Sequence, residues 1–293
     1  MLRGLLILLL PLLAVAQERT VLWVTAKPSD AVLAAGGAIA QLARDGFVVR
    51  AVQFTNDEKG SLDLGPAATR EASDADAERA MRALGVAETV RLGHKAGELG
   101  YVSTTEMRNE LVALIRFFKP VILFVPDPYV HYLPDRDHFY LGKMAEEAWG
   151  YSGGGMFNHE LKRMGFPGYS VPEIYYYAPR PYAPGEGGEG RARLREVDIT
   201  GVWHAKLAAL TALETNNRQY ASHVRIRLRA AGLDASKVNP DDTGSVAALV
   251  KARALQLAEA IGGKHGIPLA EEFNYVGGPS GQPHIDELAV PKK

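Results

Sequence analysis

Short apolar runs that alternate with helix-like stretches constrain the fold of this chain more than any other feature. Residues 21–25 form a β-rich apolar run, and the Ala- and Leu-rich stretch at 31–45 has helical character. Strands at 47–55, 89–92 and 121–125 follow predicted helices at 31–45, 67–84 and 104–118 in the same rhythm. Repeated β–α units favour a mostly parallel sheet with helices on both faces. We therefore predict one α/β domain.

The second half of the chain is less regular. Prolines keep the start of 127–149 irregular, so a helix is expected from about 135–137 to 149. Residues 150–195 are rich in Gly, Pro and Tyr, which predicts an irregular insertion with one strand at 173–178. A short strand is expected at 197–199 and helices at 202–213, with an extension towards 220, and at 244–261. Gly36–Gly37 and Gly262–Gly263 are candidate helix ends.

The N-terminus has the pattern of an export signal. A basic start precedes an apolar run at 4–13, and Ala14-Val15-Ala16 has the small-x-small spacing of a signal peptidase site. The alternative is a membrane anchor, but the run is shorter than the ~20 residues that span a bilayer. We expect cleavage near Ala16, an exported domain at 17–293, periplasmic or secreted, and no stable membrane span after signal removal.

Composition excludes several classes of site. The chain has no cysteine, so disulfides, thiolate metal sites and cysteine nucleophiles are absent. The formal net charge of −1 gives no overall field that would attract nucleic acid, and we expect no nucleic-acid partner. No G-x-G-x-x-G follows the first strand and no P-loop is present, which argues against a nucleotide cofactor.

Polar side chains follow two of the predicted parallel strands. Lys27, Ser29 and Asp30 come directly after the first strand, and 135–138, Asp-Arg-Asp-His, begin the helix after the fourth. The carboxyl ends of parallel strands lie at the same edge of a sheet, where ligands of α/β proteins bind. We expect these two groups to converge into one site.

Several motifs in order along the chain carry a family resemblance. The fragments are Ala26-Lys27-Pro28-Ser29-Asp30-Ala31, Gly36-Gly37, Thr55-Asn56-Asp57-Glu58, Leu84-Gly85-Val86, Asp135-Arg136-Asp137-His138, Val197-Asp198-Ile199-Thr200, Lys206 to Leu210 and Ala270-Glu271-Glu272-Phe273. Together they resemble the PIG-L or LmbE-like deacetylases, which read A-H-P-D-D-E and H-P-D-H at two of these places. The resemblance implies a Rossmann-like α/β fold and zinc-dependent removal of the acetyl group from N-acetylglucosamine conjugates.

The same resemblance implies a degenerate metal site. Of the three ligand positions, Asp30 and His138 are retained, but the first is Lys27, whose ammonium cannot ligate a metal. The family's general base is replaced by Ser29 and its oxyanion-stabilising histidine by Asp135, next to the catalytic candidate Asp137. We therefore expect zinc to bind weakly or not at all, and deacetylation to be impaired or lost.

Other roles for these residues remain open. Lys27, Arg70 and His131 are candidate substrate-binding residues, and His131 is also a candidate replacement ligand. Lys27 either forms a cationic subsite or joins a purely structural ion-pair cluster. Ser29 is either part of a hydrolytic triad with His138 or, more simply, a helix N-cap.

Three functions are compatible with the sequence. The first is an exported deacetylase that acts through an altered or metal-poor site. The second is a non-catalytic protein that binds glycans or amino sugars in the old cleft. The third is a structural or partner-binding protein that uses only the scaffold. We expect a small-molecule or glycan ligand and favour a pseudoenzyme.

Overall fold

A computed structural model describes residues 18–130, 136–183 and 193–277 of the chain. It contains one seven-stranded sheet in the order β3-β2-β1-β4-β5-β7-β6. The strands are β1 (Thr20–Thr25), β2 (Val48–Thr55), β3 (Glu88–His94), β4 (Ile122–Pro126), β5 (Glu173–Tyr177), β6 (Arg193–Asp198) and β7 (Ala270–Val276). The first five are parallel, whereas β7 is antiparallel to both β5 and β6. The predicted α/β fold with a mostly parallel sheet is confirmed.

Eight α-helices of the described ranges surround this sheet. They are α1 (Pro28–Arg44), α2 (Pro66–Ala83), α3 (Thr104–Phe118), α4 (Asp137–Ser152), α5 (His159–Arg163), α6 (Trp203–Ala212), α7 (Glu214–Ala230) and α8 (Thr243–His265). Two 3₁₀ turns lie at Leu99–Tyr101 and Thr200–Val202. Among these helices, none is both long and apolar enough to span a bilayer. The predicted signal peptide at 1–16 lies outside the described residues.

The two faces of the sheet bury separate apolar layers. Val21 and Trp23 of β1 pack in the layer that contains α1, α6 and α8, while Leu22 and Val24 face the layer of α3 and α4. All six residues of β1 are buried, which is typical of a central parallel strand. The alternation follows from the two-residue period of a strand, because successive side chains point to opposite faces.

The first helix continues through Gly36 and Gly37, so the expectation that they end it was wrong. A Cβ on Gly37 would lie 2.5 Å from Cγ2 of Ile199, so the close approach of α1 to Ile199 requires a glycine here. The backbone N–H groups of Gly37 and Ala38 each donate to the Glu271 carboxylate at 2.8 Å. Lys206 Nζ lies 2.6 Å from Glu271 Oε1 and provides the compensating charge within the core.

Other boundaries also differ from the sequence prediction. The predicted helix at 202–213 corresponds to α6, but its expected extension towards 220 is a separate helix, α7, which α6 meets at Leu213, where ψ is 56°. The predicted end of α8 at Gly262–Gly263 was wrong, because the helix ends at Gly266, which has φ of +70°. The expected strand at 197–199 begins earlier, at Arg193, and β7 was missed. The expected insertion at 150–195 includes α5 and β5, and its residues 184–192 lie outside the described ranges.

Candidate functional site

The turn after β1 is fixed by backbone and threonine contacts. Thr25 Oγ1 donates to the Lys27 carbonyl at 2.6 Å, and Thr55 Oγ1, at the end of β2, donates to the Ala26 carbonyl at 2.7 Å. Lys27 is the N-cap of α1 with extended backbone, and Pro28 opens the helix. Ser29 and Asp30 therefore lie in the first helical turn rather than on a loop. The expectation that Ser29 is the N-cap was wrong.

Asp30 is the centre of a cluster of basic side chains. Its Oδ2 lies 3.3 Å from Lys27 Nζ and 3.6 Å from His138 Nε2. Its Oδ1 lies 3.9 Å from Arg253 Nη2, which comes from α8. The two groups that follow β1 and β4 thus meet at one sheet edge, as the sequence predicts. His138 is buried near the start of α4, and 19% of the Asp30 side chain is exposed.

The surrounding charges determine the protonation of Asp30. Burial would by itself raise the pKa of its carboxyl, but the positive charges of Lys27, His138 and Arg253 outweigh this effect and lower the pKa to about 2. Asp30 is therefore ionised at neutral pH. Lys27 and Arg253, which are both cationic at neutral pH, already compensate its single negative charge.

The other predicted site residues are placed differently. Asp137 is buried, and its carboxylate accepts the backbone N–H of Gly97 at 2.5 Å and of Leu99 at 3.1 Å. It thus fixes the segment after β3, and its catalytic role stays a prediction. Arg70 is exposed on α2 and is not among the described residues that line the cleft beside Asp30. His131 and Asp135 lie outside the described residues.

A cleft of about 270 Å³ opens beside Asp30. Its walls come from the start of α1, the end of α6, and from α7 and α8. The polar side chains that line it, besides Lys27, Ser29 and Asp30, are Asn216, Asn217, Gln219, Tyr220, His223, Arg227 and Arg253. The sequence analysis missed these residues of α7 and α8. A helical stripe at 216, 220, 223 and 227 was the signal that could have found four of them.

Asp57 lies behind this cleft, at the end of β2. It is buried with a left-handed backbone, φ of 51°, and its Oδ2 accepts a hydrogen bond from Asn216 Nδ2 at 2.8 Å. Burial raises the pKa of the Asp57 carboxyl, although the Asn216 hydrogen bond and the Lys27 charge oppose the rise. Through this bond, the segment after β2 positions the first turn of α7.

The described side chains do not form a zinc site. No three His, Asp or Glu residues in 18–130, 136–183 and 193–277 converge closely enough to hold a metal ion. Asp30 and His138 are two potential ligands, and the third side chain beside them is the Lys27 ammonium, which has only donors. A catalytic zinc ion requires three protein ligands and an open position. This donor set does not fit zinc.

Two comparisons with known proteins point to the same family. Residues 22–149 match the family described as PIG-L, GlcNAc-PI de-N-acetylase. The chain is 29% identical to the diacetylchitobiose deacetylase of Thermococcus kodakarensis over 201 residues, which are 67% of this chain and 70% of that protein. This agreement confirms the resemblance read from the motifs.

Solved structures share the fold at lower identity. The N,N'-diacetylchitobiose deacetylase of Pyrococcus horikoshii has a TM-score of 0.70 and 24% identity, over 88% of this chain and 84% of that one. GalB, the 4-carboxy-2-hydroxymuconate hydratase of Pseudomonas putida, has a TM-score of 0.63 and 19% identity, over 94% and 99%. Because proteins named for deacetylation and for hydration share this fold, the reaction must be argued from the site.

Proposed function

We propose that this chain, whose residues 22–149 match the PIG-L family of deacetylases, is an exported relative that binds an amino sugar without hydrolysing it. The ligand lies in the cleft beside Asp30, and the zinc-dependent removal of acetyl groups has been lost. Export rests on the signal-like residues 1–16.

The main support for the proposed loss of activity is that Lys27 Nζ lies 3.3 Å from Asp30 Oδ2. The ammonium stands beside the carboxylate that would otherwise face a metal ion. With Arg253 also beside Asp30, a dication would be repelled by two permanently cationic groups, Lys27 and Arg253, while it gained only two ligands, Asp30 and His138. Such repulsion between close charges is strong in a partly buried site.

The position of the family's general base also holds no group that accepts a proton at neutral pH. Ser29 is a hydroxyl with no useful basicity, and the low pKa of Asp30, about 2, makes its carboxylate a weak proton acceptor. Loss of a positioned base typically lowers the rate ~10²–10⁴-fold. The loss of zinc as the electrophile would lower the rate further. The two reductions in rate do not simply multiply, because groups that act together in catalysis have non-additive effects.

Sugar binding is supported by the walls of the cleft. Amide and hydroxyl groups of Asn216, Gln219 and Tyr220 line it together with the Lys27 ammonium, and such groups bind the hydroxyl and acetamido groups of amino sugars. Its volume of about 270 Å³ suits a small ligand. The deacetylase of Thermococcus kodakarensis is named for an N-acetylated sugar, which makes N-acetylglucosamine the first ligand to test.

The test combines binding and hydrolysis measurements on the chain that begins at Gln17. We expect calorimetry to detect N-acetylglucosamine binding, and an acetate assay with diacetylchitobiose to show no release with or without zinc. Zinc-dependent acetate release would contradict the loss of activity, and absence of sugar binding would contradict the binding role.

Matched variants locate the binding. Lys27→Ala should weaken sugar binding while it leaves the melting temperature close to that of the wild type. Lys251→Ala, which removes an exposed lysine of α8 outside the cleft, should change neither. Unchanged affinity in Lys27→Ala would mean that the ion-pair cluster is purely structural.

A further inference from the structure

The second half of α7 presents an apolar side chain to solvent. None of the residues at 222–233 is buried, and Ile226 is 58% exposed. Asn217 and Ala221 are buried, so they mark the side of α7 that packs on the domain. At about 100° per residue, the helix places Ile226 roughly opposite Asn217. Ile226 therefore lies at the centre of the solvent-facing side, where a surface helix usually carries polar residues.

Leu233 extends this apolar surface beyond the end of the helix. Gly232 has φ of +70°, and the backbone N–H of Leu233 donates to the Leu228 carbonyl at 2.9 Å. This C-cap fixes Leu233 just after the last helical turn, where it is 60% exposed. Two exposed apolar side chains, Ile226 and Leu233, thus lie about two turns apart along α7.

Arginines surround these apolar side chains. Arg225 and Arg229 are one turn apart and line a groove that also includes Leu233. Arg227 flanks Ile226 from the other side, next to the cleft. In the described part of the chain, no acidic side chain forms an ion pair with any of these three arginines. Their positive charges are therefore available to an anionic partner.

Asp234 is the one acidic side chain among the described residues that line the groove of Arg225 and Arg229. Its carboxylate accepts the backbone N–H of Ser236 at 2.8 Å and the Ser236 hydroxyl at 2.9 Å. These hydrogen bonds lower the pKa of the Asp234 carboxyl, so it is ionised at neutral pH. It compensates one of the two arginine charges, and the groove remains positive.

The combination of charge and apolar exposure identifies the kind of partner. Soluble polyanions and anionic bilayers both attract arginines, but the bilayer boundary also accepts exposed apolar side chains. A basic helix with apolar residues on its exposed side is typical of binding to a membrane surface. Arginine suits this place, because its aliphatic stem covers apolar surface while the guanidinium stays at the phosphate headgroups.

We propose that the chain binds the surface of anionic phospholipid bilayers through the α7 face, which comprises Arg225, Ile226, Arg229 and Leu233. The guanidinium groups contact the headgroup phosphates, and the two apolar side chains enter the boundary between headgroups and acyl chains. The inference does not depend on the proposed sugar binding, because none of these four residues lines the cleft beside Asp30.

The test measures binding of the chain that begins at Gln17 to two sets of vesicles. One set contains only phosphatidylcholine, which has no net charge, and the other contains equal parts of phosphatidylcholine and the anionic phosphatidylglycerol. By co-sedimentation we expect about tenfold or more higher affinity for the anionic vesicles. Raising the salt from about 0.1 M to about 0.5 M should remove most of this preference, because added ions screen exposed charges. Equal affinity for the two sets, or binding to neither, would overturn the proposal.

Variants of exposed residues connect the binding to the α7 face. Arg225→Gln/Arg229→Gln should lower the affinity for anionic vesicles about tenfold. Ile226→Ser and Leu233→Ser should each lower it several-fold, because each loses apolar contact with the bilayer boundary. Asp234→Asn keeps an acceptor for the turn but removes a negative charge, so it should raise the affinity several-fold. The melting temperature of each variant should stay close to that of the wild type.

Matched controls lie on the other face of the sheet. Helix α5, whose Leu161 packs in the layer of α3 and α4, carries exposed Lys162 and Arg163 and is followed by exposed Met164. Lys162→Gln/Arg163→Gln and Met164→Ser should leave vesicle binding unchanged. Lys27→Ala, which alters the cleft, should also bind vesicles like the wild type.

The variants also test the assignment. If Arg225→Gln/Arg229→Gln lost binding while Ile226→Ser and Leu233→Ser kept it, the surface would be one for soluble polyanions and the bilayer proposal would be overturned. A loss in the α5 controls as large as in the α7 variants would overturn the assignment to the α7 face. Neither result bears on sugar binding, which is measured without vesicles.

Discussion

Asp57 is a buried carboxyl whose ionisation weakens the folded state. Burial raises its pKa above the value in the unfolded chain, so the folded chain holds its proton more tightly. The stability due to this protonated carboxyl is fully present below the unfolded pKa, about 3.9, and is lost as pH rises through the folded pKa. The variant Asp57→Asn does not lose stability in this way, because its amide does not titrate. Asparagine also tolerates the left-handed φ of 51° at this position.

We expect the free energy of unfolding of Asp57→Asn, relative to the wild type, to increase between pH 4 and pH 7. Urea denaturation at both pH values measures this difference. Asp63→Asn, which changes an exposed carboxylate, is the control and should show little pH-dependent difference. A difference for Asp57→Asn that is constant or decreases with pH would mean that the carboxylate is not disfavoured by burial.

Some site residues could be predicted and others could not. Lys27 and Asp30 directly follow β1, and His138 lies at the start of the helix after β4, so the parallel topology predicts that they meet. Arg253 lies in the middle of α8, more than a hundred residues further along the chain. Its position beside Asp30 depends on how α8 packs against α7 and α6, and no local pattern encodes that packing.

The glycines of the helices illustrate how context decides the effect of one substitution. Gly37 of α1 lies against Ile199, which a Cβ would approach to 2.5 Å, whereas a Cβ on Gly263 of α8 would meet nothing within 4 Å. Gly37→Ala should therefore destabilise the chain by about 1–3 kcal/mol through overpacking. Gly263→Ala should stabilise it by up to about 1 kcal/mol, because alanine is the better helix former.

Thermal or urea denaturation of the two alanine variants measures these opposite effects. The same substitution in both helices makes each variant the control for the other. If Gly37→Ala were as stable as the wild type, the close packing of α1 on Ile199 would be incorrect.

The strand β7 was missed because its composition resembles a solvent-exposed segment. Its polar residues Glu271, Glu272 and Asn274 are nevertheless buried. Each has a specific partner, since Lys206 pairs with Glu271, Lys264 lies 2.6 Å from Glu272, and Asn274 donates to Asp127 at 2.7 Å. Buried polar groups with such partners are compatible with a sheet interior, but the partners are distant in sequence and give no local signal.

The arrangement of the whole sheet explains why the cleft lies where it does. In the sheet, β1 lies between β2 and β4, so β2 and β3 are on one side of it and the later strands are on the other. A crevice forms outside the carboxyl ends of the strands at such a switch point. The parallel half of the sheet could be predicted from the alternation of strands and helices. Its antiparallel end, formed by β5, β7 and β6, could not, because nothing local fixes the direction of β7.

The central claim is that Lys27 has replaced zinc in this cleft. The most direct measurement is the metal content of the chain from Gln17, after dialysis against micromolar zinc and then metal-free buffer. The variant Lys27→His/Ser29→Asp, which restores the family's residues at both positions, is measured beside it. We expect well under one zinc per wild-type chain and close to one per variant chain, because the introduced imidazole adds a third ligand to Asp30 and His138. Close to one zinc per wild-type chain would contradict the account.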